Sequence, residues 1–241
     1  MSQEHKPSRA VILAGGKGRR LAPYTTVLPK PLMPIGDMPI LEVVVRQLKY
    51  YGFTHITFSV GHLANLIQAF FGDGSSLGVK IDYSVEDTPL GTAGPLKLPH
   101  DLNDTFLVMN GDILTTLDYR SLIDFHRRSE LPATISIYPR EVKIDFGVIE
   151  TGDNKLQNYI EKPTYYFTVS MGIYVFEPSV LSFMKDGEYV DIPELILRLK
   201  QGGNQVGCYK PECYWLDIGR IDDYEAAVKI FADKKDQFLK V

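Results

Sequence analysis

Apolar and polar positions follow the periods of strands and helices along the first half of the chain. The apolar run from Ala10 to Leu13 predicts a short buried strand. Between residues 40 and 51, apolar side chains stand at positions 40, 41, 44, 45 and 48, which is the spacing of a buried helix face. Pro39 favours the start of this helix and Gly52 favours its end.

The same alternation continues beyond this helix. We predict a strand at 56–60, a helix at 63–71, and strands at 79–85 and 106–109. Strands that alternate with helices along a chain form a mostly parallel sheet that is covered by helices on both faces. The first half is therefore expected to be α/β, with ligands bound beyond the carboxyl ends of its strands.

From Ala133 onward the pattern changes to β-rich pieces, and we expect an acceptor-side lobe there. Strands are predicted at 133–138, 146–150, 156–161 and 167–176, and helices at 191–201 and 221–236. No Pro/Gly/Ser-rich linker separates the two halves. We therefore expect a flexible tail at residues 1–9 and one continuous domain at 10–241, with halves of about 10–130 and 131–241.

Composition and charge exclude several classes of function. The 241 residues are 44% hydrophobic and 23% charged, as in ordinary globular proteins, and the net charge of −4 gives no basic field for nucleic acid. No apolar run approaches the ~18 residues of a membrane span, so we expect a cytoplasmic protein without a membrane partner. Cys208 and Cys213 lack the neighbours of a zinc site and are expected to be reduced thiols.

The densest chemistry follows the first strand, where residues 13–23 read LAGGKGRRLAP and residues 28–32 read LPKPL. Glycines at 15, 16 and 18 can adopt positive φ and direct backbone N–H groups into one concavity, which suits a triphosphate. Basic countercharge follows at Lys17, Arg19 and Arg20. A Gly-rich turn with incidental basic residues is the simpler alternative for this segment alone.

Two familiar phosphate motifs do not fit this loop. A P-loop would need Gly-Lys-Ser/Thr after four intervening residues, and a dinucleotide fingerprint would need a third glycine where Leu21 stands. The flanking prolines of Lys30 favour an extended, stiff stem that presents its ammonium group, although a lysine in such a loop is usually only a solvated charge.

Carboxylates at predicted strand ends indicate a cation site. Asp112 follows the strand TFLVMNG, and Asp217 follows the apolar piece YWL. Mg²⁺ takes one or two carboxylates together with phosphate oxygens and water, so these two aspartates are a candidate metal pair. A lone aspartate at a strand end is more often a turn or cap residue.

Glu161 and Lys162 follow another strand, where they could meet a sugar hydroxyl and a phosphate or form only a surface ion pair.

These segments resemble the signature of the sugar-phosphate nucleotidyltransferases, Gly-Gly-x-Gly-x-Arg-Leu-x-Pro followed by Pro-Lys-Pro-Leu. The resemblance runs through nearly the whole chain, in the segments 15–23, 29–32, 90–94 (LGTAG), 110–112 (NGD), 146–148 (FGV), 161–163 (EKP) and 215–219 (WLDIG). It is closest to compact mannose-1-phosphate and heptose-1-phosphate guanylyltransferase-like members. It implies a Rossmann-like three-layer α/β/α (GT-A-like) fold with a mixed, mostly parallel sheet and a β-rich acceptor-side lobe.

The resemblance also implies an activity and roles for particular residues. The reaction would join a nucleoside triphosphate to a sugar 1-phosphate with Mg²⁺, releasing pyrophosphate. Arg20, Lys30, Asp112 and Lys162 would be catalytic, and Asp112 and Asp217 would hold the metal. The sugar phosphate would meet Gly147, Glu161, Lys162 and Ser170. The nucleotide would meet Leu13, Ala14, Gly15, Gly16, Gly18, Arg19, Arg20, Glu86, Pro89, Gly91, Thr92, Asn110 and Gly111.

The base and the sugar are less well determined by the sequence. Glu86 stands at the family's base-reading position, where a carboxylate could accept the adjacent N1–H and N2–H₂ donors of guanine. GTP with mannose 1-phosphate or a related sugar is therefore expected, and UTP or dTTP with glucose 1-phosphate is the alternative. A non-catalytic nucleotide-sugar sensor and a dinucleotide-dependent oxidoreductase are further alternatives.

The compact relatives imply a homodimer. Arg19 replaces the small Ser or Thr of many relatives, and Tyr24 replaces a common Leu.

Overall fold

A computed structural model describes residues 9–240. Its strands are β1 (Arg9–Leu13), β2 (Pro34–Ile35), β3 (Met38–Pro39), β4 (His55–Val60), β5 (Lys80–Val85), β6 (Phe106–Asn110), β7 (Ile113–Thr115), β8 (Ala133–Lys143), β9 (Val148–Gly152), β10 (Lys155–Ile160), β11 (Thr164–Phe176), β12 (Gly207–Tyr209) and β13 (Trp215–Asp217). Its α-helices are α1 (Ile40–Tyr50), α2 (Ala64–Phe71), α3 (Tyr119–Ser129), α4 (Ile192–Gln201) and α5 (Ile221–Phe238).

Seven strands form the central sheet in the order β12-β8-β11-β6-β1-β4-β5. β1 pairs in parallel with both β4 and β6, whereas β11 pairs antiparallel with β6 and β8. The mixed, mostly parallel sheet expected from the α/β alternation is therefore confirmed. It places the carboxyl ends of β1, β4, β5 and β6 at one edge.

Both faces of the sheet are buried, as the alternation along β1 illustrates. Ala10 and Ile12 belong to one apolar core, and Val11 belongs to the core on the opposite face. A period-2 strand whose two faces are both apolar must be covered on both sides, which produces the three layers. A third apolar core joins α1 and α5 through Ile40 and Phe231.

The structure departs from the predicted boundaries at the N terminus. Arg9, which we expected in the flexible tail, is the first residue of β1 and is buried. Its guanidinium pairs with Asp101, and Nη1 lies 2.7 Å from that carboxylate, so the charge is compensated inside the protein. The rest of the expected tail, residues 1–8, lies outside the described residues.

Pairing between distant segments completes the sheet edge at which ligands are expected. The chain turns at Gly111 and Asp112 between β6 and β7. β13 pairs antiparallel with β7, which sets Asp217 opposite Ile113. The two aspartates of the predicted metal pair are thereby brought side by side, although they are far apart in sequence.

The second half extends beyond the central sheet. β8 and β11 pair over most of their length, from Lys143 opposite Thr164 to Ala133 opposite Phe176. Between them lies the hairpin of β9 and β10, which forms a separate two-stranded sheet. The β-rich character predicted for this half is confirmed, while its role in binding the acceptor stays a prediction.

Candidate active site

A cavity of about 540 Å³ opens at the carboxyl ends of β1, β4, β5 and β6. Twelve of the thirteen predicted nucleotide-binding residues line it; the exception is Gly111, which is buried and donates its N–H to Leu13. The complete lining is Leu13, Ala14, Gly15, Gly16, Lys17, Gly18, Arg19, Arg20, Lys30, Pro31, Ser59, Glu86, Pro89, Gly91, Thr92, Asn110, Asp112, Tyr189, Asp191 and Gly219.

The Gly-rich loop presents free backbone donors to this cavity. Within residues 9–240, the N–H groups of residues 15–18 donate to no protein acceptor. Of the three loop glycines, which can all adopt positive φ, only Gly18 does so, at +59°. A Cβ on Gly16 would meet nothing within 4 Å, whereas one on Gly15 would lie 3.2 Å from the backbone nitrogen of Gly61. Unpaired N–H groups in a concave loop form a site for an anion.

Local contacts hold this loop in place. The hydroxyl of Thr25 donates to the carbonyl of Gly18 at 2.8 Å, and the N–H of Leu21 donates to the same carbonyl at 2.9 Å. A Cβ on Gly18 would lie 2.9 Å from the Thr25 methyl group, so this position requires glycine for space as well as for its φ. The short 3₁₀ helix Arg19–Leu21 buries Leu21 and leaves both arginines on the cavity wall.

Lys30 lies in the cavity and pairs with Asp112. Its backbone begins the 3₁₀ helix Lys30–Leu32, so the prediction of an extended conformation from the flanking prolines is wrong. The N–H groups of Leu32 and Met33 donate back to Pro29 and Lys30, and these hydrogen bonds favour the turn. The ammonium group contacts Oδ2 of Asp112, and both side chains are mostly buried.

The second oxygen of Asp112 is the clearest indication of a cation. Oδ1 is buried and has no hydrogen-bond partner among residues 9–240. An unpaired buried acceptor typically costs about 1–3 kcal/mol, and more when it is charged. A hard divalent cation would compensate this oxygen, and carboxylates are the ligands that Mg²⁺ prefers. Asp112 and Asp217 therefore fit a magnesium site.

Asp217 shares the electrostatics of this site without lining the cavity itself. A Cβ on Gly219, a lining residue, would lie 3.6 Å from Oδ2 of Asp217 and 3.6 Å from both terminal nitrogens of Arg20. Asp217 stays open to solvent, but the surrounding protein partly desolvates it, and this burial together with the charge of Asp112 raises the pKa of its carboxyl group. Lys30 and Arg20 act in the opposite direction. Two carboxylates that repel each other would bind a cation in common.

Glu86 lines the cavity close to Gly15 and organises the loop that follows it. Its Oε2 accepts the N–H of Leu90 at 2.8 Å, and its Oε1 lies 3.4 Å from the hydroxyl of Ser59. Burial raises the pKa of the Glu86 carboxyl group, against the effect of these two hydrogen bonds. Each carboxylate oxygen can accept more than one hydrogen bond, so Glu86 keeps acceptor capacity for a ligand.

Two cavity residues carry no local sequence signal, namely Tyr189 and Asp191. Asp191 accepts hydrogen bonds from the N–H and the hydroxyl of Thr92, at 3.0 and 3.2 Å. Tyr189 is 59% exposed, and its hydroxyl lies 3.4 Å from Oδ2 of Asp191. A pairing between segments about a hundred residues apart places them here, and local periodicity does not report such a pairing.

The predicted sugar-phosphate residues lie on the β-rich half and do not line the cavity. The Tyr159 hydroxyl lies 3.3 Å from Glu161, and a Cβ on Gly147 would overlap the same hydroxyl, so these three residues form one cluster. Lys162 is exposed, and its ammonium lies 4.0 Å from Oε1 of Glu161. Ser170 instead is an exposed residue of β11, and its hydroxyl forms a hydrogen bond with that of Tyr174 at 2.9 Å.

A bulge in β11 connects Ser170 to the cavity wall. The Ser170 hydroxyl accepts the N–H of Gly172 at 3.2 Å, and Gly172 has a φ of +71°. A Cβ on Gly172 would lie 2.7 Å from the side-chain nitrogen of Asn110, which lines the cavity. Gly172 therefore allows Asn110 to pack directly against the β11 backbone.

A separate group of potential metal ligands lies at the other edge of the sheet. His55, Asp82 and Asp101 have ligand atoms within 4.8 Å of one another. Arg9 donates to Asp101 and contacts His55, and Lys80 pairs with Asp82 at 3.0 Å. Because two cations already neutralise these carboxylates, we interpret the group as an ion-pair network that ties the amino-terminal ends of the strands together.

Comparison with known families agrees with this geometry. The model of the nucleotidyl transferase family matches residues 9–234, a span that contains every cavity residue. The chain belongs to the nucleotidyl transferase family. The resemblance inferred from the Gly-rich loop and the later motifs is thereby confirmed.

Individual relatives within this family differ in the base they use. The chain is 36% identical to a UTP–glucose-1-phosphate uridylyltransferase of Synechocystis over 92% of its length, and 33% identical to a mannose-1-phosphate guanylyltransferase of Mycobacterium tuberculosis over 89%. It spans about three fifths of the length of these two relatives, 62% in each case.

A solved structure resembles the chain over almost its whole length. It is a Bacillus anthracis protein assigned as a glucose-1-phosphate thymidylyltransferase, solved with sucrose, with a TM-score of 0.74 and 28% identity. The match covers 96% of this chain and 98% of that one.

Proposed function

We propose that this protein is a sugar-1-phosphate nucleotidyltransferase, which converts a nucleoside triphosphate and a sugar 1-phosphate into a nucleotide sugar and pyrophosphate. The observation that carries this proposal is the composition of the cavity. Unpaired backbone N–H groups and basic side chains line it together with Asp112, whose buried oxygen has no partner. Such a cavity suits a triphosphate accompanied by a divalent cation.

The transfer needs positioning and charge compensation more than it needs a protein nucleophile. An oxygen of the sugar phosphate attacks the α-phosphorus, a new P–O bond forms, and the bond to the bridging oxygen of the departing pyrophosphate breaks. The loop N–H groups, Arg20 and Lys30 hold the phosphates and stabilise the charge that develops on the leaving group. Mg²⁺, when bound to Asp112 and Asp217, would supply further charge neutralisation.

We assign the nucleotide mainly to the half at about 10–130, with Tyr189 and Asp191 completing its cavity, and the sugar phosphate to the half at about 131–241. Gly147, Glu161, Lys162 and Ser170 are proposed to meet the sugar 1-phosphate, as the family resemblance implies. The cluster of Gly147, Tyr159 and Glu161 on one surface supports this assignment, because it presents hydroxyl and carboxylate groups close to an exposed ammonium group.

Guanine is the base that we propose, with mannose 1-phosphate or a related sugar as acceptor. Glu86 lines the cavity as a carboxylate acceptor, which matches the two adjacent donors of guanine better than the single N–H of uracil or thymine. The mannose-1-phosphate guanylyltransferase relative supports this choice, whereas the uridylyltransferase relative supports the alternative of UTP or dTTP with glucose 1-phosphate.

Assembly and location complete the proposal. A homodimer is inferred from the compact relatives, and the mass in solution at micromolar concentration tests it. Of the described helices, none has both the length and the apolar character needed to cross a membrane. The cytoplasmic location expected from the sequence stays a prediction.

Release of pyrophosphate tests the activity directly. The protein is assayed with Mg²⁺ and with GTP, UTP, dTTP, CTP or ATP against the 1-phosphates of mannose, glucose, glucosamine and heptose. We expect strong release with one base and one sugar, and GTP with mannose 1-phosphate or a related sugar is the expected pair. Release with UTP and glucose 1-phosphate alone would instead overturn the assignment of Glu86 as a guanine reader. No release with any pair would contradict the proposed activity.

A further inference from the structure

Among the described residues that line the cavity, Tyr189 is the one aromatic residue, and it is exposed. The residue is 59% exposed, and it lines the same cavity as Glu86, Pro89 and Gly91. Neither the Gly-rich loop nor the metal pair requires an aromatic ring at this place. An exposed ring on the cavity wall is available for contact with a planar ligand.

The backbone beneath Tyr189 is held by hydrogen bonds to the segment that follows Glu86. Val190 is fully buried; its N–H donates to Leu90 at 3.0 Å, and its carbonyl accepts from Ala93 at 2.8 Å. Gly91 fits tightly against this carbonyl, because a Cβ there would lie 2.5 Å from the oxygen. Tyr189 therefore extends from a backbone that is fixed relative to Glu86.

Its hydroxyl group is held as well. It lies 3.4 Å from Oδ2 of Asp191, while Oδ1 of Asp191 accepts from Thr92. The negative charge of Asp191 raises the pKa of Tyr189, so the phenol stays protonated at neutral pH. The ring is thus neutral, and its position is restrained at both its backbone and its hydroxyl end.

We propose that the ring of Tyr189 is the stacking surface for the nucleobase of the triphosphate. Every nucleobase has a π-face, so this contact strengthens binding of all of them and leaves the choice of base to Glu86. Tyr189 is therefore a positioning residue that raises affinity for nucleotides but not for the phosphate chain alone. The inference rests on the proposed function, since it identifies how the same cavity holds the base.

The test compares two ligands that differ only in the base and the ribose. Dissociation constants for GTP, or for whichever triphosphate supports pyrophosphate release, and for inorganic triphosphate are measured with Mg²⁺ on the full chain. Tyr189→Ala is expected to weaken nucleotide binding by about 10-fold, within the range for loss of one stacked base, and to leave inorganic triphosphate unchanged. Tyr189→Phe is expected to bind both ligands like the wild type. Tyr50→Ala, at an exposed tyrosine on α1, is the matched control.

A spectroscopic variant gives a second readout that does not depend on affinity. The chain has one tryptophan, so Tyr189→Trp adds one fluorophore at the proposed stacking position. We expect nucleotide, but not inorganic triphosphate, to quench the added emission, because a stacked base lies against the ring. If Tyr189→Ala fails to fold, this variant alone decides the question.

The outcomes separate this inference from the proposed function. Unchanged nucleotide affinity in folded Tyr189→Ala, an equal loss for both ligands, or no quenching in Tyr189→Trp would overturn the stacking contact while nucleotide binding by the wild type stands. Failure of the wild type to bind any nucleotide would overturn the proposed function together with the inference built on it.

Discussion

At the scale of single residues, the site consists of charges that compensate one another only in part. Lys30 neutralises one oxygen of Asp112 and leaves the other without a partner. Asp217 keeps a raised pKa because burial and Asp112 outweigh Lys30 and Arg20. A further cation would compensate the unpaired oxygen, and under the proposed function Asp112 would both hold that cation and orient Lys30.

Replacement of Asp112 by asparagine tests this double function. Asp112→Asn keeps the shape of the side chain but removes its charge, so we expect turnover to fall by at least ~10²-fold, the scale for loss of a main electrostatic stabiliser. Steady-state rates of pyrophosphate release measure the effect, and circular dichroism checks the fold. Asp124→Asn, at an exposed aspartate on α3, is the matched control. Turnover near that of the wild type would remove Asp112 from the mechanism.

Position 91 requires glycine because of its backbone conformation and its contacts. Its φ is +79°, and an added Cβ would lie 2.5 Å from the carbonyl oxygen of Val190. Gly91→Ala is therefore expected to lower the free energy of unfolding by about 1–3 kcal/mol, through backbone strain and this overlap. It should also weaken nucleotide binding, because Pro89 and Thr92 line the cavity on either side.

Gly187 separates the two causes of that loss. Its φ of +72° is similar, but an added Cβ would meet nothing within 4 Å. Gly187→Ala should therefore show the backbone strain without the overlap and destabilise the protein less than Gly91→Ala. Chemical denaturation of both variants measures the difference. Equal losses would mean that contact with Val190 is not what requires glycine at position 91.

At the scale of elements, hydrophobic periodicity predicts the parts whose burial is local. The helix expected at 40–51 is found at Ile40–Tyr50, because its apolar positions repeat at helical spacing. The helix Tyr119–Ser129 was not predicted, since most of its residues are polar. Only four of its positions are buried, which is too few to make the helical spacing clear in the sequence. β7 and β13 are too short to predict, and they exist only because they pair with each other.

The same distinction separates the predictable part of the site from the remainder. The Gly-rich loop and Glu86 follow predicted strands directly, so the sequence places them at the sheet edge. Tyr189 and Asp191 reach the cavity because non-local hydrogen bonds hold their segment there, from Val190 to Leu90 and from Thr92 to Asp191. Lys30 shows the limit of local rules, because the hydrogen bonds of its 3₁₀ turn outweigh the extended preference imposed by proline.

A buried histidine on α3 makes the stability of its packing depend on pH. His126 is 1% exposed and lies 3.0 Å from Glu177 and 2.8 Å from the hydroxyl of Thr134. Burial lowers the pKa of His126, against the effect of Glu177. His126 therefore binds a proton more readily in the unfolded chain than in the folded protein. The stability that depends on neutral His126 is complete above about pH 6.5 and is lost as the pH falls from there toward the folded-state pKa.

Denaturation at pH 7.5 and pH 5.5 measures this effect. The wild type should lose more stability than His126→Gln on acidification, with a difference of at most about 1.4 kcal/mol per pH unit from this single group. His100→Gln, at an exposed histidine, is the control and should follow the wild type. An equal pH dependence in His126→Gln and the wild type would mean that His126 is protonated as easily in the folded as in the unfolded protein.

At the scale of the whole molecule, the two halves provide different kinds of surface. The first half supplies most of the cavity, including its fixed backbone donors, and Tyr189, Asp191 and Gly219 of the second half complete the lining. The second half also carries an exposed hairpin and two long strands. The proposed sugar-phosphate residues Gly147, Glu161 and Lys162 lie outside the cavity lining. The proposed function predicts a division between these surfaces, in which changes on the hairpin side alter acceptor binding and leave nucleotide binding largely unaffected.

Lys162 is the most direct test of this division. Its ammonium is exposed and lies 4.0 Å from Glu161, so it is available to a phosphate group that approaches from solvent. Lys162→Ala is expected to raise the KM for sugar 1-phosphate several-fold more than the KM for nucleotide, because only the acceptor phosphate would contact it. Lys155→Ala, at the other end of β10, removes an equal charge from an exposed position and should leave both constants near their wild-type values. A KM effect of Lys162→Ala confined to the nucleotide would instead place the hairpin with the first half and contradict the proposed division.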